Sequence, residues 1–202
     1  MQNTDYFLYL LHDIFWISFF VVRFYKRRNE GRQSDQSGYE PVVSQEKSAP
    51  FSRLLVALHS TGFLALYGGM AIAFFVRHNV PKWFAGQSVV GAAIILAGTA
   101  LTCYALVSFR SWRIRAKLEK GHQLTVVGPF RIIRHPIYMG LNLLALGSAI
   151  WIPTPLVWFS VVAMAIGGDL SARSEEKLLG EAFESTYRDY CLRTKRFLPG
   201  IY

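Results

Sequence analysis

The sequence predicts an all-α integral membrane protein with about five transmembrane helices, the last two forming a short hairpin, and a cytosolic amphipathic C-terminal helix. Two observations support this prediction. Hydrophobic residues make up 52% of the 202 residues and the mean hydropathy is +0.25, which is more apolar than a soluble domain of this size usually is. The 22 Lys and Arg residues lie in short runs between apolar stretches, as they do in the cytosolic loops of membrane proteins.

Three apolar stretches are each predicted to cross the bilayer, for which about 20 helical residues are needed. They are residues 6–22, 54–76 and 83–109. Between the first two, residues 26–53 are mostly polar and charged. Because such a segment buries too little apolar surface to offset the entropy cost of ordering, we expect a flexible cytosolic loop there.

The next apolar stretch, residues 137–170, is predicted to fold back on itself. As one straight helix it would be about 51 Å long, too long for a single upright crossing. Pro153 and Pro155 offer a turn midway, because each proline removes a backbone donor and disfavours helical geometry in the preceding residue. We therefore expect two short helices in a hairpin, each a little short for a full crossing.

The basic residues also predict the orientation. Segments 23–53, 110–136 and 171–202 carry seven, seven and six of them, whereas segment 77–82 carries two. This positive-inside asymmetry places the N-terminus outside the cytosol and the C-terminus inside it, in a bacterial inner membrane or the endoplasmic reticulum. The same distribution argues against nucleic acid as the reason for the net charge of +9.

Three predicted helices each carry a glycine pair seven residues apart. Seven residues make two helical turns, so each pair lies on one face, which suits close helix packing in lipid. The alternative is that apolar helices are simply rich in glycine. The pairs are Gly62 and Gly69, Gly91 and Gly98, and Gly140 and Gly147.

Polar residues inside the predicted spans are expected to support the packing of the helices rather than to take part in catalysis or binding. His12, Asp13 and His59 cost free energy at the bilayer centre and usually face protein or water. The two cysteines, Cys103 and Cys191, are interpreted as packing residues, because two distant cysteines form neither a disulfide framework nor a metal site. No metal is expected.

Two segments hold the candidate site. Residues 120–140 read KGHQLTVVGPFRIIRHPIYMG, and their glycines favour a shaped loop that lets backbone approach a ligand. Pro136 at the first turn of a helix leaves the neighbouring amides free to donate. Further side-chain donors in this segment are His122, His135 and Tyr138.

The second segment is the charged start of the C-terminal helix, with Arg173, Glu175 and Glu176. From the residues alone, two interpretations remain open. The segments form either a ligand site, or a basic loop that touches anionic lipid beside a solvated helix start.

Four motifs add a family resemblance. GPFRIIRHPIYMG is followed in order by RSEEKLL, AFESTYRDY and RTKRFLPG, and together they resemble the isoprenylcysteine carboxyl methyltransferase family, whose architecture the phospholipid methyltransferases share. The resemblance covers residues 121–202. It implies S-adenosylmethionine as the methyl donor, bound in a cytosol-facing cleft, and a lipophilic acceptor that enters from the bilayer.

The resemblance also implies site residues. Arg173 would face an anionic acceptor and act with Glu176 in catalysis. Two positions depart from the family pattern: Phe130 stands where Tyr is more common, and Ser171 where eukaryotic relatives place Arg. The implied donor-binding residues are His122, Gln123, Leu124, Thr125, Phe130, His135, Pro136, Ile137, Tyr138, Glu175 and Glu176.

On this interpretation the chain comprises a first transmembrane helix (1–25), a loop (26–53), helices two and three (54–109) and a methyltransferase half (110–202). The predicted function is methyl transfer to a lipophilic acceptor, with isoprenylcysteine carboxylate as the reference substrate. Alternatives are N-methylation of a phospholipid amine, a sterol-reductase-like NADPH enzyme and a non-enzymatic scaffold. A carboxylate or thiolate nucleophile needs no base, whereas an amine would have to lose a proton, to His135 or a glutamate.

Overall fold

The computed structural model describes residues 3–33, 47–48, 52–75, 82–108, 117–118 and 124–201. This part of the chain is almost entirely helical, as predicted. Two-residue strands, β1 (Lys47–Ser48) and β2 (Lys117–Leu118), pair antiparallel, and a short 3₁₀ turn covers Gly128–Arg131. The helices are α1 (Asn3–Gln33), α2 (Ser52–Phe75), α3 (Gln87–Ser108), α4 (Pro136–Trp151) and α5 (Pro155–Arg193).

Four of these helices are long and apolar enough to cross a membrane, namely α1, α2, α3 and α5, and α4 is a shorter apolar helix. The prediction of about five helices is therefore confirmed. The first arm of the predicted hairpin, α4, has 16 residues and is about 24 Å long. The predicted turn lies between Trp151 and Pro155, where the Thr154 hydroxyl accepts a hydrogen bond from the Val157 amide at 3.4 Å.

Two element boundaries differ from the prediction. α1 continues to Gln33, so residues 26–33 are helical and the expectation of a loop from residue 26 is wrong there; Lys, Arg, Glu and Gln in this stretch are good helix formers. The rest of the predicted loop lies mainly outside the described residues.

The C-terminal amphipathic helix is the continuation of the fifth helix rather than a separate element. α5 has 39 residues, about 58 Å, and no proline interrupts it after Pro155. Its apolar first part suits the membrane, and its charged part from Asp169 onward extends beyond the apolar stretch. Glu184, with φ 46° and ψ −116°, marks a kink in this outer part.

The glycine pairs lie at helix contacts, which confirms their packing interpretation. A β-carbon added at Gly91 would lie 2.7 Å from the Gly147 carbonyl oxygen, and one at Gly98 would lie 2.6 Å from that of Gly140. The two pairs therefore face each other across α3 and α4. The remaining pair, on α2, packs against Met164 and Val157 of α5.

A buried polar network joins three helices inside the membrane part. His12 Nδ1 lies 3.0 Å from the Tyr67 hydroxyl and His12 Nε2 lies 2.9 Å from Ser148 Oγ. Trp16 Nε1 donates to the same Tyr67 hydroxyl at 2.6 Å. Because both ring nitrogens have partners, the structural interpretation of His12 is supported.

Candidate active site

The loop before α4 and the segment after α5 lie side by side. Ile133 and Lys195 form an isolated parallel bridge. The Arg134 amide donates to the Lys195 carbonyl at 2.8 Å, and the His135 amide donates to the Arg196 carbonyl at 3.1 Å. This pairing brings two motifs that are some 60 residues apart in sequence against the charged part of α5.

Glu176 lies at the centre of a charged cluster. Its Oε1 is 2.9 Å from Arg134 Nε, and its Oε2 is 2.6 Å from Arg196 Nη2. His135 Nε2 makes a longer ionic contact with Oε1, at 3.3 Å. Burial raises the pKa of this carboxyl, but the hydrogen bonds from His135, Arg196 and Arg134 outweigh burial and hold the pKa well below its usual value. Glu176 is therefore an anion held by two guanidinium groups and an imidazole.

Glu175 has different surroundings. Its Oε1 accepts a hydrogen bond from the Tyr138 hydroxyl at 2.7 Å, and its Oε2 lies 3.5 Å from His135 Nδ1. The Glu175 side chain is 27% exposed, against 14% for Glu176. Glu175 is thus the more open of the two carboxylates.

His135 lies between the two glutamates. It is buried, which by itself lowers the pKa of the imidazole, but the contacts with Glu175 and Glu176 more than reverse this, so the pKa is raised above 6.5. Its ring also contacts Tyr138 and Phe197, with centroids 5.9 Å away in each case. The imidazole is held in one orientation from both sides.

Arg173 pairs with a residue one turn earlier in α5. Its Nε lies 2.6 Å from Asp169 Oδ2, and Arg196 Nη1 reaches the other oxygen of Asp169 at 3.3 Å. The Arg173 side chain is 56% exposed. Arg173 therefore stands at the open side of the cluster.

The structure brings together four of the predicted site residues, namely His135, Tyr138, Glu175 and Glu176. His122 and Gln123 lie outside the described residues. Of the remaining predicted positions, Leu124 is half-buried, and the side chains of Thr125, Phe130, Pro136 and Ile137 are buried.

Phe130 and Ser171, the two departures from the family pattern, both lie inside the protein. Phe130 is part of the main hydrophobic core, and its carbonyl accepts a hydrogen bond from the Tyr190 hydroxyl at 2.7 Å. Ser171 is 7% exposed. The ring of Phe130 is thus a packing element.

Three charged members of the cluster, Arg134, Arg196 and Asp169, were not among the predicted site residues. Arg134 and Arg196 are in the quoted motifs GPFRIIRHPIYMG and RTKRFLPG, so the motifs contained a signal for them. Asp169 was detectable as an acid four residues before Arg173, a spacing that pairs side chains on a helix.

Comparison with known proteins shows the family of the chain. A family model described as phospholipid methyltransferase matches residues 86–186, half of the chain. The chain belongs to the phospholipid methyltransferase family. The match contains α3, α4 and the part of α5 that carries Glu175 and Glu176.

Two plant proteins are also similar to this member of the phospholipid methyltransferase family. A probable protein-S-isoprenylcysteine O-methyltransferase of Oryza sativa subsp. indica is 32% identical over 126 residues, which are 59% of this chain and 63% of the relative. Protein-S-isoprenylcysteine O-methyltransferase B of Arabidopsis thaliana is 27% identical over 135 residues, 64% of this chain and 66% of the relative. The aligned part spans less than two thirds of each plant protein.

Proposed function

We propose that this protein transfers a methyl group from S-adenosylmethionine to a lipophilic acceptor that enters from the bilayer. The observation that carries the proposal is the convergence of His135 and Tyr138, at the start of α4, with Glu175 and Glu176, near the middle of α5. These residues come from motifs that resemble a methyltransferase family, and they meet where a membrane-spanning hairpin reaches its charged end.

The residues present fit this methyl donor, which carries an ammonium, a carboxylate and ribose hydroxyls besides its reactive sulfonium methyl. Glu175, the open carboxylate, would accept hydrogen bonds from the ammonium or the ribose. The first amides of α4, at Ile137 and Tyr138, would donate to the carboxylate, as helix N-termini do to anions. Both contacts are charge-assisted and therefore among the stronger hydrogen bonds.

The other proposed site residues have supporting roles. Glu176, held by Arg134 and Arg196, would keep His135 in place and so act as a positioning residue. His122, Gln123, Leu124 and Thr125 remain proposed walls of the donor cleft, and Phe130, which packs in the core, is proposed to support this wall from behind. Positioning and exclusion of bulk water would supply most of the rate, because methyl transfer to a suitable nucleophile needs little covalent help.

The acceptor side is proposed from the names of related proteins and from the open face of the cluster. The plant relatives are named for isoprenylcysteine, and the family model for phospholipid; both names imply a lipophilic acceptor. Arg173 is proposed to bind an anionic group of the acceptor. The active site is proposed to face the cytosol, within the methyltransferase half of residues 110–202.

Ligand titration tests this proposal. Isothermal titration of the purified protein with S-adenosylmethionine, S-adenosylhomocysteine and NADPH should show binding of the first two and no binding of the third. The Glu175→Gln variant should bind S-adenosylhomocysteine more weakly than the matched control Glu181→Gln, which alters an exposed glutamate of the same helix. Binding of NADPH without S-adenosylhomocysteine would overturn the proposal in favour of a reductase.

A further inference from the structure

Asp13 is an acidic residue on the outward face of a membrane-spanning helix. It lies within the apolar stretch Tyr6–Lys26 of α1, and its side chain is exposed. Within the described part of the chain, no hydrogen bond or ion pair reaches its carboxyl group. Ionisable residues inside membrane spans almost always face protein or a water-filled cavity, because exposure to hydrocarbon is costly. Asp13 therefore indicates that another molecule covers this face of α1.

The neighbours of α1 show how deep Asp13 lies. Phe7 contacts Trp151, the last residue of α4, with ring centroids 6.1 Å apart, so Phe7 lies at one end of the helix bundle. Asp13 is six residues further on, roughly 9 Å along the axis. The next nine residues, 14–22, are again largely apolar. Asp13 is thus at the depth of the hydrocarbon and not at the membrane surface.

Six exposed side chains of α1, Asp13 among them, form one stripe. They recur at alternating steps of four and three residues, which is the spacing of the seam between two helices in a coiled coil. Without Asp13, a stripe of this composition would simply face lipid. The six residues are Tyr6, Leu10, Asp13, Ile17, Phe20 and Phe24.

We propose that a second copy of this chain covers the stripe, in a symmetric dimer in which the two Asp13 carboxyl groups meet and share one proton. Both copies insert in the same orientation, because the same basic residues direct them. A two-fold axis along the membrane normal then places each position of the stripe opposite the same position of the other copy. A protonated carboxyl group donates a hydrogen bond and a carboxylate accepts it, so Asp13 is its own complement.

The distribution of basic residues explains why the proton has to be shared. In α1 the basic residue that follows Asp13 is Arg23, ten residues further on and roughly 15 Å away along the axis. A second copy therefore offers no cation at this depth, and two carboxylates approach closely only when one of them is neutral. The other described apolar spans also lack Lys and Arg; they are residues 54–75, 87–108, 136–151 and 155–168.

Packing and the shared hydrogen bond together stabilise such a dimer. Lipid tails are as apolar as the side chains of the stripe, so helices in a bilayer associate through close packing and interhelical hydrogen bonds. Leu10 and Ile17, one turn to either side of Asp13, supply the packing. The hydrogen bond fixes the register of the two helices, as one buried polar residue does in a coiled coil.

Disulfide crosslinking in the membrane tests which face is covered. After the replacements Cys103→Ser and Cys191→Ser, a single cysteine is introduced as Ile17→Cys on the stripe or as Leu64→Cys on α2. Both native side chains are strongly exposed, at 62% and 78%, so both positions report random collisions in lipid. We expect oxidation with copper phenanthroline to link two chains through position 17 and not through position 64.

Energy transfer between labelled chains in phosphatidylcholine liposomes measures the affinity of the dimer. Asp13→Leu removes the shared hydrogen bond and should weaken dimerisation about tenfold, which corresponds to 1.4 kcal/mol. Asp13→Asn keeps both a donor and an acceptor and should dimerise like the wild type. Leu64→Ala, which changes an exposed residue away from the stripe, is the control and should also match the wild type. A melting temperature equal to that of the wild type establishes that a variant is folded, and Asp13→Ala replaces Asp13→Leu if the latter is not.

Three results would overturn the dimer: a wild type that stays monomeric at every ratio of protein to lipid, crosslinks through position 64 instead of position 17, or wild-type affinity in the folded Asp13→Leu or Asp13→Ala variant. Crosslinks from position 17 to a different protein in native membranes, with no dimer in liposomes, would assign the stripe to a partner subunit that supplies a cation. Binding of S-adenosylhomocysteine is a separate measurement, so failure of the dimer leaves the proposed methyl transfer untouched.

Discussion

Glu175 and Glu176 are neighbours in sequence but differ in what they contact, and the difference assigns them different tasks. Glu176 meets two guanidinium groups and an imidazole, so its charge is already compensated within the protein. Glu175 meets a hydroxyl and the other nitrogen of the same imidazole, so it retains capacity for a cationic ligand. One glutamate suits ligand binding and the other suits the integrity of the cluster.

For Glu175→Gln we expect the apparent KM for S-adenosylmethionine to rise about tenfold, which corresponds to 1.4 kcal/mol, because a neutral amide replaces a charge-assisted partner. The melting temperature should stay near that of the wild type. Steady-state kinetics and thermal unfolding measure the two quantities, with Glu181→Gln as the control. An unchanged KM would show that Glu175 does not contact the donor.

Glu176→Gln should act mainly on stability. The substitution removes the carboxylate that pairs with Arg134 and Arg196, whose side chains are both about 85% buried. Breaking a buried ion pair costs about 3 kcal/mol or more. Denaturant unfolding in detergent should show a loss of this order, larger than that of Glu175→Gln. Equal stability of the two variants would contradict the division of tasks.

The raised pKa of His135 predicts a pH dependence of stability. Because the folded-state pKa lies above the unfolded value of 6.5, the contribution of the charged imidazole is fully present below pH 6.5 and is lost as pH rises through the folded-state value. The difference in melting temperature between wild type and His135→Gln should therefore shrink as pH is raised from about 6 to about 9. A difference that grows with pH would refute this account.

At the scale of elements, sequence patterns predicted the helices better than they predicted the contacts between side chains. Hydropathy and prolines placed the spans and the turn before Pro155, because these depend on composition and local geometry. Arg134 and Arg196 could not be assigned to Glu176 in this way, since their meeting depends on how the loop before α4 pairs with the segment after α5. Basic residues at a membrane boundary usually contact anionic lipid. The sequence alone therefore does not distinguish them from basic residues that form ion pairs inside the protein.

The contact between α3 and α4 gives a prediction at this scale. Gly98→Ala would place a methyl group 2.6 Å from the backbone carbonyl of Gly140, which cannot rotate away, and overpacking of this kind costs about 1–3 kcal/mol. Gly68→Ala is the matched control, because a β-carbon there meets no atom within 4 Å. Thermal unfolding should separate the two variants clearly, and equal melting temperatures would contradict the described packing.

At the scale of the whole molecule, the distribution of basic residues predicts how the chain lies in the membrane. After replacement of Cys103 and Cys191, single cysteines introduced at Gln36 and Asn79, both outside the described residues, should react with a membrane-impermeant maleimide from opposite sides. Position 36 is expected to face the cytosol and position 79 the other side. Labelling of both positions from one side would refute the proposed topology.

The shortness of α4 has a consequence for the lipids around it. Its 16 residues span about 24 Å, whereas the hydrocarbon core of a typical bilayer is about 30 Å thick. A helix that is too short for its bilayer is accommodated when the membrane thins beside it. The hydrophobic mismatch would then be greatest along α4, so the membrane surface would dip at the start of this helix, where the proposed acceptor would arrive. A lipid substrate would then need to rise less far out of the bilayer to reach the proposed site.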